Sequence, residues 1–245
     1  MPTIYLSPSL QEFNQYTGGG NEEYYMNLLA DAMVPYLRAS GIQFVRNNPE
    51  QTLSQVISES NQGNYDLHLA LHSNAAPPAL SGKIQGTDVY YYPGSAKSER
   101  AAELIAQAMR TVYPNPSAVK TVPTTSLGEI RRTRAPSVLI EAAYHDNPQD
   151  ANWIRENLDS IAAAIVRALT EYFDIPFVEP QPARQGTVAT QSGPLNIRQK
   201  PSTSAPVLAQ APKGAALTIL GTFQDWYVVN YNGNIGYASR QYISG

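Results

Sequence analysis

The chain contains no cysteine among its 245 residues. That absence excludes disulfides, thiolate zinc sites and cysteine nucleophiles, and it is compatible with a location outside the cytosol. Histidine is scarce as well, with three residues in the whole chain. Any metal site must therefore combine a few imidazoles with carboxylates or amides.

Long runs of charged or apolar residues are also missing. The 17 basic and 20 acidic residues leave a net charge of −3, and they form no basic stretch of the kind that nucleic-acid-binding proteins carry. The most apolar segment, residues 161–172, is interrupted by Arg167 and Glu171, so we expect no membrane span. Residues 3–6 are strand-like and lie close behind Met1, so we expect no signal peptide in this chain.

Proline is concentrated in residues 176–185, which contain three of them. This segment is predicted to be an extended linker between a first domain, residues 1–175, and a second domain, residues 186–245. In the first domain strand-like and helix-like segments alternate, which predicts an α/β fold with a mostly parallel sheet flanked by helices. The second domain has short strands and turn signals, which predict a small all-β barrel.

The predicted strands and helices place the candidate functional residues. The predicted strands are residues 3–7, 42–47, 66–72, 88–92 and 137–144, and the predicted helices are residues 22–40, 51–61, 96–112 and 150–173. His72 lies where the strand 66–72 meets a polar loop, which makes it a candidate ligand or catalytic group. His68 lies roughly 13 Å away along an extended strand, so the two cannot share one metal. We expect His68 to be a buried, hydrogen-bonded histidine.

Two carboxylates are candidates beside His72. Glu23 shares a helix face with the apolar residues Met26, Ala30 and Met33, so its side chain is expected to point inward, although an acid at a helix N-terminus also has a purely structural use. Glu141 interrupts an apolar strand with a charge, which is costly unless the carboxylate is paired or bound to a metal. A salt bridge to a nearby arginine, at position 131, 132 or 134, is the alternative for Glu141.

Four segments together resemble the zinc-dependent N-acetylmuramoyl-L-alanine amidases of type 3. The resemblance covers about residues 3–174 and is carried, in the expected order, by residues 4–9 (IYLSPS), 22–28 (EEYYMNL), 71–75 (LHSNA) and 135–144 (APSVLIEAAY). It implies that Glu23 and His72 are zinc ligands and that Glu141 is the catalytic carboxylate. The family's first histidine ligand is missing, and Gln11 is the residue we expect in its place, with His145 as another possible substitute.

The resemblance implies a peptidoglycan hydrolase. Its zinc-activated water would cut the amide bond between N-acetylmuramic acid and L-alanine, with Glu141 moving the proton. Residues 186–243 resemble a bacterial SH3-type module, which implies a second contact with the cell wall. We therefore expect peptidoglycan as the partner, a monomer, and a location outside the cell or in its wall.

Two other functions remain open from the sequence. A domain without its first histidine ligand could be a non-catalytic wall-binding protein or an activator of another hydrolase. A zinc peptidase cutting within the stem peptide would use the same metal chemistry on a different bond.

Overall fold

The computed structural model describes all 245 residues and divides into two compact units. The larger unit consists of residues 3–34 and 44–172, and the smaller unit of residues 1–2, 35–43 and 173–245. None of the helices combines the length and the apolar content that crossing a bilayer requires.

The larger unit contains six strands and six helices. The strands are β1 (Thr3–Pro8), β2 (Gln43–Arg46), β3 (Leu67–Asn74), β4 (Thr87–Tyr91), β5 (Val119–Pro123) and β6 (Ser137–Tyr144). The helices are α1 (Glu22–Ala39), α2 (Leu53–Gln62), α3 (Ala96–Met109), α4 (Gly128–Arg131), α5 (Pro148–Glu156) and α6 (Leu158–Tyr172). Both α1 and β2 reach into residues 35–43, which group with the smaller unit.

The six strands form one mixed sheet in the order β2-β1-β3-β6-β4-β5. Strands β1, β3 and β6 run parallel, β4 is antiparallel to β6, and β5 is parallel to β4. Leu67, Leu69 and Leu71 of β3 are fully buried, and so are His68 and Ala70 on the opposite face, as expected for a central strand covered on both sides. The predicted α/β fold is confirmed.

The sequence analysis missed β5 and the short helix α4, and it joined α5 and α6 into one helix. The break falls at Asn157, which ends α5 with φ −125° and ψ 19°. Its side-chain amide donates to the carbonyl of Trp153 (2.8 Å), and asparagine commonly forms such local bonds at helix ends. Helix α4 is only four residues long, too short for a periodic apolar pattern to reveal it.

The smaller unit is an antiparallel sheet of seven strands. They are β7 (Arg184–Val188), β8 (Leu195–Arg198), β9 (Val207–Ala211), β10 (Ala216–Phe223), β11 (Trp226–Tyr231), β12 (Asn234–Ser239) and β13 (Ile243–Ser244). Their order is β13-β7-β10-β11-β12-β8-β9. Alternate residues of these strands fill the core, among them Val188, Ile197 and Val229. The predicted all-β unit is therefore confirmed.

A second apolar cluster in the smaller unit includes residues outside the barrel strands. Ala39 and Val178 pack with Val228 and Tyr237, and the Tyr237 hydroxyl donates to the carbonyl of Ser40 (3.0 Å). Val178 is thus buried although it lies in the predicted linker, and β7 begins at Arg184, also within that segment.

Candidate active site

The register of three neighbouring strands brings polar residues to one level of the sheet. His72 of β3 is paired with Glu141 of β6, and Glu141 is paired on its other side with Asp88 of β4. Residues opposite each other on adjacent strands present their side chains on the same face. The ends of β3 and β6, which were predicted to hold the functional residues His72 and Glu141, are therefore adjacent.

His72 is the centre of this group. Its Nδ1 atom donates to Oε1 of Glu22 (2.8 Å), and its Nε2 atom donates to Oε2 of Glu129 (3.2 Å). Burial alone would lower the pKa of His72, but the two carboxylates outweigh burial and raise that pKa well above its usual value. The two carboxylates thus favour the protonated form of His72.

The acid that contacts His72 is Glu22, whereas the sequence analysis had assigned this position to Glu23. The side chain of Glu22 is buried, and burial would raise its pKa, but hydrogen bonds from His72, Ser9 and Asn14 lower it overall. Glu23 is half-buried and lies beside Glu12, and burial together with that acid raises its pKa. The expectation that Glu23 points into the site is wrong by one residue.

Gln11 lies in the loop after β1 and reaches the same group, as expected. Its Nε2 atom is 3.2 Å from Nδ1 of His72 and donates to Oε1 of Glu22 (3.3 Å). Asn14, which the sequence analysis did not consider, donates through Nδ2 to Oε2 of Glu22 (2.6 Å) and to Oε1 of Gln11 (3.1 Å). The two amides thus fix the carboxylate of Glu22.

The loop that leads into α1 is held by an arginine from another helix. The guanidinium of Arg155 in α5 donates to the carbonyls of Thr17 and Gly19, and it lies over the rings of Tyr16 and Tyr25. Glycine suits this loop because Gly19 has φ +105°, a conformation that other residues rarely adopt. These contacts of Arg155 hold the start of α1, where Glu22 lies.

Glu129 of α4 is another functional candidate that the sequence analysis missed. It accepts hydrogen bonds from Ser7 Oγ (2.5 Å), His68 Nε2 (3.0 Å) and His72 Nε2 (3.2 Å). Burial would raise the pKa of Glu129, but the two histidines outweigh it and hold the pKa well below the usual range. The only sequence feature that could have indicated Glu129 was an acid between the apolar residues Leu127 and Ile130.

His68 is buried and hydrogen-bonded at both ring nitrogens, as expected. Its Nδ1 atom lies 2.8 Å from Ser60 Oγ, and its Nε2 atom contacts Glu129. His145, the alternative ligand, is buried elsewhere: its Nδ1 donates to the carbonyl of Ser73 (2.9 Å) and its ring stacks on Tyr16. His145 therefore forms part of the packing around the loop that precedes α1.

Glu141 lacks the salt bridge that would have explained it structurally. Its Oε2 atom is buried and has no hydrogen-bond partner, while Arg134 donates instead to the carbonyl of Asn61 (3.2 Å). Burial raises the pKa of Glu141 to about 7; His72 opposes this shift, and the acids Glu22 and Asp88 add to it. A carboxyl group with such a pKa can accept and return a proton near neutral pH.

A cavity of about 480 Å³ opens beside this group. His72, Glu129 and Glu141 contribute its polar lining, together with Gln11. Its apolar wall includes two exposed side chains, Phe13 (76% exposed) and Leu53 (46% exposed). Glu141, whose Oε2 atom has no hydrogen-bond partner, therefore lines a space large enough for a substrate.

The profile of the family described as N-acetylmuramoyl-L-alanine amidase matches residues 12–171. The chain belongs to this family. A second profile, described as bacterial SH3 domain, matches residues 193–244, in the smaller unit. The amidase match includes Glu22, His72, Glu129 and Glu141.

Individual relatives agree with this assignment. Over 180 residues the chain is 27% identical to the N-acetylmuramoyl-L-alanine amidase LytC of Bacillus subtilis (strain 168), a match that covers 70% of the chain and 35% of LytC. The chain thus spans about a third of the length of that relative.

Solved amidase structures share the fold of this family member. The amidase AmiC2 of Nostoc punctiforme has a TM-score of 0.61 at 19% identity, with 71% of this chain and 97% of that chain covered. An amidase from Clostridium difficile 630 has a TM-score of 0.63 at 16% identity, with 71% and 97% covered.

The side chains around His72 fit a single divalent cation, with one departure from a full set of strong ligands. Oε1 of Glu22, Nδ1 of His72 and the Gln11 amide are 2.8–3.3 Å apart, near the separation of about 3.3 Å between ligand atoms of a tetrahedral zinc. No three histidine, aspartate or glutamate side chains of the 245 described residues form a metal-binding group. A cation at this place would need the Gln11 amide as its third ligand, and the amide would have to rotate because its Nε2 atom now faces Glu22.

Charge favours the same fit. Glu22, Glu129 and Glu141 surround one imidazole, and an oxygen of Glu141 is unpartnered. Carboxylates that are buried together are stable only when positive charge compensates theirs. A dication compensates more of this negative charge than a single imidazolium does.

Proposed function

We propose that this amidase family member hydrolyses peptidoglycan at the amide bond between the lactyl group of N-acetylmuramic acid and L-alanine. The observation that carries the proposal is the unpartnered Oε2 of Glu141 beside the Glu22–His72 pair, at a cavity within the family's fold.

We further propose that zinc is the cofactor, bound by Glu22, His72 and the amide oxygen of Gln11. When bound, the ion would supply a polarised scissile carbonyl and a water of lowered pKa. His72 would give up its Nδ1 proton to become a ligand, and Glu22 would be held in place by Asn14.

Glu141 moves the proton in this mechanism. Its carboxylate takes a proton from the attacking water as the new carbon–oxygen bond forms at the lactyl carbonyl. The same group returns that proton to the nitrogen of L-alanine as the carbon–nitrogen bond breaks. The products are the lactyl carboxylic acid on the sugar and a stem peptide with a free amino terminus.

Mass spectrometry of defined muropeptides tests the reaction. With zinc added, we expect the sugar to separate from the intact alanine-headed peptide, and the Glu141→Gln variant to leave the substrate whole. Cleavage inside the peptide would instead indicate a peptidase and contradict the proposed bond.

The alternative is a non-catalytic wall-binding protein or an activator of another hydrolase. It is favoured by the Gln11 amide, whose N–H already satisfies Glu22 without a metal. Absence of cleavage with a zinc-loaded protein would favour this alternative.

The smaller unit is proposed to bind the cell wall, which would place the enzyme outside the cell or in its wall. A cavity of about 610 Å³ in this unit is lined by Arg198, Trp226 and Tyr242 among others. Aromatic rings with polar neighbours suit glycan or peptide ligands, and tethering would raise the effective substrate concentration for the larger unit.

Co-sedimentation with purified cell walls tests this second contact. Tyr242 is 40% exposed in the smaller unit, and Tyr92 is 39% exposed in the larger unit. We expect Tyr242→Ala to reduce the sedimented fraction and the matched Tyr92→Ala variant to leave it unchanged. Equal sedimentation of wild type and Tyr242→Ala would contradict a role for this cavity.

A further inference from the structure

One carboxylate, Glu129, connects both histidines of β3. Oε2 accepts from Nε2 of His72 (3.2 Å), and Oε1 accepts from Nε2 of His68 (3.0 Å). The two histidines are too far apart along the strand to share a metal ion, but they are spaced so that the two oxygens of one acid reach both.

The two ring nitrogens of His72 have different partners. Nε2 faces Glu129, and Nδ1 faces Glu22 and Gln11. A neutral imidazole carries its proton on one nitrogen and leaves a lone pair on the other, and the hydrogen bond at the protonated nitrogen decides which is which. Glu22 also accepts from Nδ1 in this structure. When Glu22 turns from acceptor to metal ligand, the acceptor that remains, at Nε2, leaves the lone pair on Nδ1.

Glu129 is itself fixed before any ligand arrives. Ser7 of β1 donates to Oε1 (2.5 Å), and His68 donates to the same oxygen while its own Nδ1 lies 2.8 Å from Ser60 of α2. Glu129 is 4% exposed. With hydrogen bonds from two strands holding its carboxylate, Glu129 has little freedom to turn away from His72.

We propose that Glu129 is a positioning residue, which holds Nε2–H of His72 and so reserves Nδ1 as the ligand atom for the metal ion. The inference rests on the proposed function, since it concerns the ion assigned there to Glu22, His72 and Gln11.

The test compares Glu129→Gln with a control, Glu59→Gln. Glu59 also carries a carboxylate that accepts two side-chain hydrogen bonds, from Tyr5 (2.8 Å) and Gln51 (2.9 Å), but it contacts neither His72 nor Glu129. Zinc affinity is measured by chelator competition. We expect Glu129→Gln to bind zinc about 10–100-fold more weakly, the range for loss of an outer-shell partner, and Glu59→Gln to match wild type.

Nitrogen-detected spectra of the histidine rings supply the second readout. With three histidines in the chain, His72 can be assigned by its substitution. Zinc-loaded wild type is expected to show a protonated Nε2 and a metal-bound Nδ1, and Glu129→Gln to lose this single pattern. A purely structural role would lower the melting temperature without changing the ring pattern of the folded protein.

The outcomes separate the two proposals. Zinc binding by wild type with equal affinity and ring pattern in Glu129→Gln would overturn the positioning role and leave the proposed function standing. No zinc binding by wild type would count against the proposed cofactor instead. If Glu129→Gln does not fold, Ser7→Ala, which removes one donor to Glu129, must weaken zinc binding for the inference to survive.

Discussion

At the scale of single residues, the site depends on which of two adjacent acids turns inward. Glu22 and Glu23 begin α1 and precede Met26 by four and three residues, so either could lie on the buried face of the helix. Packing buries Glu22 completely and leaves Glu23 partly open to solvent.

Glutamine at each position gives a matched pair of variants. We expect Glu22→Gln to weaken zinc binding by more than about 100-fold, beyond the loss for an outer-shell partner, because a ligand charge is removed. Glu23→Gln is expected to retain wild-type affinity. Chelator competition measures both, and the reverse ranking would mean that Glu23 is the ligand after all.

The pKa of Glu141 predicts a pH dependence for hydrolysis. A general base acts in its deprotonated form, and burial raises the pKa of this carboxyl to about 7, so activity should rise as pH increases toward 7. A nearby cation favours the charged form and moves the midpoint of this rise lower. The rate profile of kcat/KM on a muropeptide checks this.

The matched measurement for Glu141 uses Glu141→Gln across the same pH range. We expect activity at least 100-fold lower, from the size of general acid–base effects, with no remaining rise between acid and neutral pH. An unchanged rise in that variant would assign the titrating group to another residue.

At the scale of elements, helix ends position the walls of the cavity. Helix α2 begins with a capping box, in which Thr52 Oγ1 accepts from the backbone of Gln55 (3.4 Å) and the Gln55 side chain accepts from the backbone of Thr52 (2.8 Å). Thr52 and Leu53 both line the cavity. The cap therefore fixes one wall of the cavity as well as the start of the helix.

Removing this cap should cost measurable stability. Thr52→Ala is expected to lower the free energy of unfolding by about 1 kcal/mol, the typical value for an N-cap. Ser58→Ala, at an exposed position within the same helix, is the control and should change it by less than about 0.5 kcal/mol. Chemical denaturation measures both, and equal effects would argue against the capping box as the source of stability.

At the scale of the whole molecule, the smaller unit is more than a C-terminal barrel. It includes the end of α1 and residues 40–43, far from the barrel in sequence. The Tyr237 hydroxyl donates to Ser40 across 197 residues of chain, and both groups are buried. The smaller unit thus includes residues that precede strands β3 to β6 in the chain.

Tyr237→Phe tests this long-range contact. Because the carbonyl of Ser40 loses its buried donor, we expect a loss of about 1–3 kcal/mol in the free energy of unfolding. Tyr231→Phe, a half-buried tyrosine of the neighbouring strand, serves as control. A loss no larger than that of the control would indicate that the hydroxyl contributes nothing to joining these segments.

The sequence by itself determined the fold class, the two kinds of domain and the strand ends that carry His72 and Glu141. Apolar runs that stop at a polar residue are local signals, because a buried strand needs several apolar residues in succession. The choice of His72 over His68 as the accessible histidine followed from the same reasoning. Gln11 was reached through the family resemblance, from its place in the loop after β1.

Tertiary structure alone decided the rest. Glu129 lies 57 residues from His72 in sequence and reaches it because α4 packs against β3 and β6. No local sequence pattern indicates that packing. Glu22 replaced Glu23 because the helix rotation is set by packing against the sheet, and a rotation of about 100° per residue separates the two acids. The apolar periodicity of a helix predicts its buried face only to within adjacent positions. Contacts with other elements then determine which of the two neighbouring residues is buried.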